Sequence, residues 1–331
     1  MSQARRIRSF PSRGAMGTVE GMTVTDWLLD SDPAIRWQVL RDVVAAPAAE
    51  VAAERARVAE EGWAPRLLDL QGSDGQWAGG TYYPPPDDAE QIGQPWTATA
   101  FSLKLLVDFG IDPKHERARR AVALVRENSR WEHDGERFFD GEVEPCINGL
   151  TVVIGAHFGE DVGGVVDRLL TEQLQDGGWN CAVEDGSTRG SFHSTIAVLE
   201  GLLAFENATD RDRPDIAAVR ARGQEYLLER GLMRRVSDGE IPDARWLQFS
   251  YPTRWRYDVL RALDYLRDAG AAADTRMDAA LDLVESKRDA DGRWPLENTH
   301  PGAVHFHLED GDGHPSRWNT LRALRVLALY R

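Results

Sequence analysis

Apolar residues recur along this chain every three or four positions, the period of a helix with one buried face. Alternating β-branched runs of useful length are absent. The segment WTATAFSLKLLVDFG from Trp96 puts Ala98, Phe101, Leu105 and Phe109 on one face and stops at Gly110. INGLTVVIGAHFG from Ile147 is apolar nearly all round, which predicts a fully buried helix. STIAVLEGLLAFE from Ser194, YDVLRALDYLRDAG from Tyr257, WNTLRALRVLALY from Trp318 and AIRWQVLRDVVAA from Ala34 complete a set of six. More polar amphipathic segments lie between them, at 48–61, 114–127, 165–173, 214–228 and 275–287. The expectation is an all-α fold of at least ten helices. Six of them should form an inner ring, because a linear solenoid would leave its helices one wet face. Pro95, Pro145, Pro252 and Pro315 are expected to open inner helices, where a missing N–H costs nothing.

No linker rich in Pro, Gly and Ser divides the sequence, so residues 22–331 are expected to form a single domain. Residues 1–21 carry four arginines with no apolar stretch after them, which predicts a disordered tail rather than a secretory signal. No run of 18 apolar residues is present, so no spanning segment is expected. A cytoplasmic location follows by default. The net charge of −15 argues against nucleic acid as a partner. Two cysteines in 331 residues do not make a disulfide framework.

Asp-Gly turns punctuate the helical segments at Asp74-Gly75, Asp134-Gly135, Asp176-Gly177, Asp238-Gly239 and Asp291-Gly292. Three of them end in tryptophan: LLDLQGSDGQW to Trp77, LLTEQLQDGGW to Trp179 and LVESKRDADGRW to Trp294. These three turns resemble the QW repeats of the squalene–hopene and oxidosqualene cyclases, a group that also includes the β subunits of protein prenyltransferases. The resemblance covers roughly residues 63–331 and implies an (α/α)6 toroid. It implies that the tryptophans are structural and that a central cavity takes a small apolar, isoprenoid-like substrate. The Asp-x-Asp-Asp acid of the cyclases has no counterpart here. Nor does the Asp-Asp-x-x-Asp magnesium motif, since Asp87-Asp88 is followed by Ala89-Glu90-Gln91.

The prenyltransferase branch offers a zinc site, with Asp-x-Cys at one inner helix and His at a later one. Glu144-Pro145-Cys146 and Phe192-His193-Ser194-Thr195 match these positions, with Glu144 in place of the aspartate. Cys181, two residues after Trp179, is a further candidate. The expected ligands are therefore Cys146, Cys181 and His193, with zinc as the cofactor because thiolate and imidazole suit it. The competing readings are a metal-free cyclase using Glu144, Asp140 or Asp243 as its acid, and a non-catalytic binding protein. The expected cavity wall consists of Trp37, Trp96, Asn148, Arg254, Trp255, Arg256, His305, His307 and Trp318, placed together at the N-terminal ends of inner helices.

Overall fold

The computed structural model describes residues 22–85, 93–209 and 213–331. The expected tail 1–21 and the Asp87-Asp88 string lie outside the described residues. The six apolar segments form α2 (Pro33–Val39), α5 (Thr99–Phe109), α7 (Pro145–Phe158), α9 (Phe192–Ala208), α11 (Val259–Asp268) and α13 (Arg317–Tyr330). Each touches the next, and α13 returns to α2, so the ring closes. The more polar segments form α3 (Ala48–Ala56), α6 (Glu116–Asn128), α8 (Gly163–Thr171), α10 (Pro214–Leu228) and α12 (Asp278–Ser286), packed outside. The fold is thus an all-α ring of inner and outer helices. Among the described residues a small ribbon pairs Trp294–Pro295 with Pro315–Ser316.

Two short helices have no apolar period long enough to read: α1 (Val24–Leu29) and α4 (Trp63–Leu68). Helix α2 runs on into a π-turn at Leu40–Val44, where a continuous helix was expected. Of the four expected prolines, Pro145 alone sits in the first turn of its helix. Pro33 and Pro214 play that part for α2 and α10. Pro315 instead lies in the ribbon.

The three tryptophan turns are built alike. Trp77, Trp179 and Trp294 are fully buried. Their indole N–H groups donate to Leu67, Leu169 and Val284 carbonyls at 2.7, 2.8 and 2.6 Å. Their backbone N–H groups donate to the hydroxyls of Thr99, Thr195 and Thr320, each near the start of the following inner helix. The amides of Gln71 and Gln173 then tie the turn to the next outer helix, donating to the Ala121 and Val219 carbonyls at 3.0 and 2.8 Å. In the third copy Arg288 replaces glutamine and lies over the Trp294 ring at 5.5 Å.

Helices α7 and α9 approach more closely than side chains would allow. A Cβ on Gly149 would lie 2.4 Å from the Ala197 carbonyl oxygen, and one on Gly201 would lie 2.7 Å from that of Gly149. This contact sets the N-terminal ends of α7 and α9 side by side, which matters for the chemistry there.

Candidate functional site

Cys146 occupies the first turn of α7 and Cys181 the short 3-10 turn before α9. The close α7–α9 packing brings them together with Glu144. One ligand atom from each of the three lies within 4.8 Å of the others. The Cys146 thiol donates to Glu144 Oε2 at 3.4 Å, and Cys181 Sγ meets Ser194 Oγ at 3.3 Å. The hydrogen bond to Cys181 pushes the Cys146 thiol up, helped by burial and by the Glu144 charge. The same bond draws Cys181 down against the opposing effect of burial, and Ser194 adds to it. Cys181 is thus the more acidic thiol of the pair. Asn148, buried behind the site, is not a wall residue. Its side chain clamps both backbone groups of Glu142 at 2.6 and 2.7 Å and so fixes the loop that carries Glu144.

His193 does not join this cluster. Its Nδ1 accepts the Tyr257 N–H at 2.8 Å, with the Trp255 ring 5.4 Å away. The reason is helical rotation. Successive residues turn by about 100°, and here Ser194 faces Cys181 while Thr195 faces Trp179. His193 is left pointing towards α11. Burial, then the charges of Arg261 and Arg256, hold its pKa down to about 4.

Cys146 also lines a narrow neck inside the ring, with a volume of about 30 Å³. Its walls are Tyr82, Phe101, Leu150, Val153, Ala197 and Trp255, together with Lys104, Glu200, Arg254 and Arg261. Past the neck a funnel of about 450 Å³ opens towards the C-terminal halves of α5, α9 and α11. On the loop side a second cavity of about 400 Å³ is lined by Trp96, Tyr251, Arg254, His300, His305 and His307.

The expected wall residues therefore separate. Arg254 and Trp255 line the neck, Trp96, His305 and His307 line the loop-side cavity, and Trp318 lines the funnel. Trp37 lines none of them. It is buried, and its indole donates to the Phe109 carbonyl at 2.9 Å. Arg256 stacks on Trp255 at 4.4 Å. Asp140 is exposed at the end of a 3-10 turn, away from all three spaces. Asp243 caps the Ala244–Leu247 turn, and its hydrogen bonds with Arg245 keep its pKa low. It stays a carboxylate, unsuited to donating a proton.

Several lumen residues went unread. Glu200 pairs with Arg261 through two hydrogen bonds of 2.8 and 2.6 Å. Burial raises the Glu200 carboxyl, but the guanidinium outweighs it and the net shift is downward. Asp268 in the funnel, half-exposed and paired with Arg267, is raised to about 6 by desolvation and the Asp264 charge, with Arg267 opposing. The available signal was a charge in the middle of an apolar helix, such as Lys104 in α5 or Glu200 in α9.

No protein-family model and no curated protein matches the chain. Two solved structures align over most of it at low similarity. A protein from Actinoplanes is 18% identical with a TM-score of 0.42, covering 90% of this chain and 89% of that one. The type II terpene cyclase MstE from Scytonema is 17% identical with a TM-score of 0.41, covering 90% and 86%. Among the described residues no helix is long and apolar enough to cross a membrane.

Proposed function

We propose that the chain is a zinc enzyme whose metal is held by Glu144, Cys146 and Cys181 and whose substrate is apolar and isoprenoid-like. The observation that carries this reading is the meeting of two thiols and a carboxylate, one of whose members, Cys146, lines the neck. The donor set fits: two sulfurs and one oxygen suit zinc, and three protein ligands are the number that leaves a position open. When bound, zinc supplies Lewis acidity and lowers the pKa of a water or thiol beside it. The chain's own groups prepare the site. Glu144 reaches the surface and accepts a 3.4 Å hydrogen bond from the Cys146 thiol, which holds the carboxylate beside the sulfur. The Ser194 hydroxyl, 3.3 Å from Cys181 Sγ, stabilises the Cys181 thiolate. Leu150, Val153 and Ala197 restrict bulk water, and the neck has room for about one water molecule. Zinc analysis of protein made without a polyhistidine tag tests the reading. Stoichiometric zinc that disappears in Cys146→Ser and in Cys181→Ser supports it, and zinc-free wild type from metal-replete growth rejects it.

A metal-free, acid-initiated reaction is the second reading, and Asp268 favours it over Asp140 or Asp243. Asp268 is the funnel carboxyl with a raised pKa. Turnover of a polyprenyl substrate in the presence of a chelator, lost in Asp268→Asn, would support that alternative.

A further inference from the structure

We propose that Arg254 anchors a second binding site, separate from the thiol cluster, that takes the oxyanion head of an amphiphilic ligand. Arg254 lies on the loop before α11 and faces both the neck and the loop-side cavity. Its guanidinium sits over the Trp96 ring at 5.3 Å. Among the described residues it donates no side-chain hydrogen bond and has no carboxylate partner. Burial pulls its pKa down to about 10, against the opposing effects of Tyr251 and Asp108.

Asp310 on the same lining is exposed, and the other neighbouring carboxylates are already engaged. Lys104 holds Asp108, and Arg261 holds Glu200. Glu309 accepts from the Ser316 hydroxyl at 2.6 Å and from the Trp318 N–H at 3.1 Å, capping α13. Arg254 is half-buried where the two cavities meet, so an oxyanion entering from outside can reach its guanidinium. Two further polar groups of the same cavity are buried without partners, Tyr251 Oη and His300 Nε2. Burial, then the charges of Arg256 and Arg254, holds His300 neutral, with its pKa down at about 3. A guanidinium fork with a phenol hydroxyl beside it matches the oxygens of a phosphate or a carboxylate. Trp96, Leu105 and Phe306 on the same wall would cover an apolar tail. The backbone of Arg254 is left-handed, with φ of 56°, a conformation that a non-glycine residue holds only when its surroundings impose it. The attraction is local to the Arg254 guanidinium, because the same lining also carries Glu309 and Asp310.

The test uses the full chain, with pyrophosphate, decanoate and the uncharged decanol as probes in calorimetry and thermal denaturation. Wild type should bind pyrophosphate or decanoate saturably, raising its melting temperature, and should not respond to decanol. Arg254→Gln should weaken that binding on the order of tenfold or more, as loss of a charged hydrogen-bonding group does. Without ligand its melting temperature should stay close to that of wild type. Tyr251→Phe should fold normally and weaken binding severalfold, and it carries the test alone if Arg254→Gln fails to fold. Zinc content should be unchanged in both variants, which separates this site from the metal reading. Pyrophosphate binding alone assigns a phosphate head, and decanoate binding alone a carboxylate head. Wild type that binds neither anion, or variants that bind as wild type does, would overturn the proposal.

Discussion

The two ends of the inner ring treat charge in opposite ways. At the funnel end, cations and carboxylates are knitted into one another. Arg325 forks onto Asp264 at 2.9 and 2.8 Å and reaches Asp42 at 3.3 Å. Arg322 lies 3.4 Å from the same Asp264. Burial raises the Asp264 carboxyl, yet these arginines outweigh it and keep the group ionised. At the thiol end, Arg254 and Arg256 have no carboxylate partner among the described residues, His193 and His300 are held neutral, and a carboxylate faces two thiols. Saturated charges hold helices in register. Unsaturated ones are costly to keep, and a ligand or metal is what would offset that cost. On this comparison the funnel network is architecture and the thiol end is the working end.

A large effect should come from breaking the saturated end. Asp264→Ala removes the carboxylate shared by Arg325 and Arg322, leaving them the more distant Asp42 and Asp258, and should cost about 3 kcal/mol, the lower end of the penalty for breaking a buried ion pair. Denaturant unfolding measures it, and a loss below about 1 kcal/mol would erase the distinction drawn between the ends. Trp179→Ala should cost a similar amount, about 3–5 kcal/mol, by leaving a cavity and removing the indole bond to Leu169. That result is expected without any loss of zinc, because the turn lies in the scaffold and not among the proposed ligands.

A smaller effect lies in pH dependence, and the two ends should differ in sign. His193 titrates at about 4 in the fold against 6.5 when free, so the unfolded chain binds the extra proton between those values. Its contribution is present above 6.5 and is lost as the pH falls towards 4. His193→Gln should therefore flatten the acid-side loss of stability in that window. Asp268, raised from 3.8 to about 6, works the other way. Its contribution is present below 3.8 and is lost as the pH rises through 6. Asp268→Asn should remove that decline, by a modest amount because the side chain is half-exposed at 51%. Melting curves from pH 4 to 7 of the two variants and wild type would show whether the slopes change in opposite directions.

The ring was legible because burial on all sides leaves a continuous apolar pattern, as in α7 and α9. The turns were legible because Trp77, Trp179 and Trp294 recur with the same neighbours. Helices α1 and α4 were not, since six residues hold less than two turns of period. The site was half legible. Cys146 and Cys181 are rare residues near helix starts, and the structure does bring them together. His193 could not be placed, because one residue of rotation decides whether it or Ser194 faces Cys181. The cavity was the least readable part. Whether an aromatic ring lines a space or fills it depends on its neighbours, as Trp37 shows by packing against the Phe109 carbonyl.

The central claim is that Glu144, Cys146 and Cys181, without His193, make up a zinc site at the thiol end. Metal quantification by mass spectrometry on untagged wild type, Cys146→Ser, Cys181→Ser and His193→Ala, all grown in zinc-replete medium, tests it directly. The account predicts stoichiometric zinc in wild type and in His193→Ala, and its loss in both cysteine variants while their helical spectra stay intact. Wild type without zinc, or a His193→Ala variant that loses the ion as fully as the cysteine variants do, would contradict it.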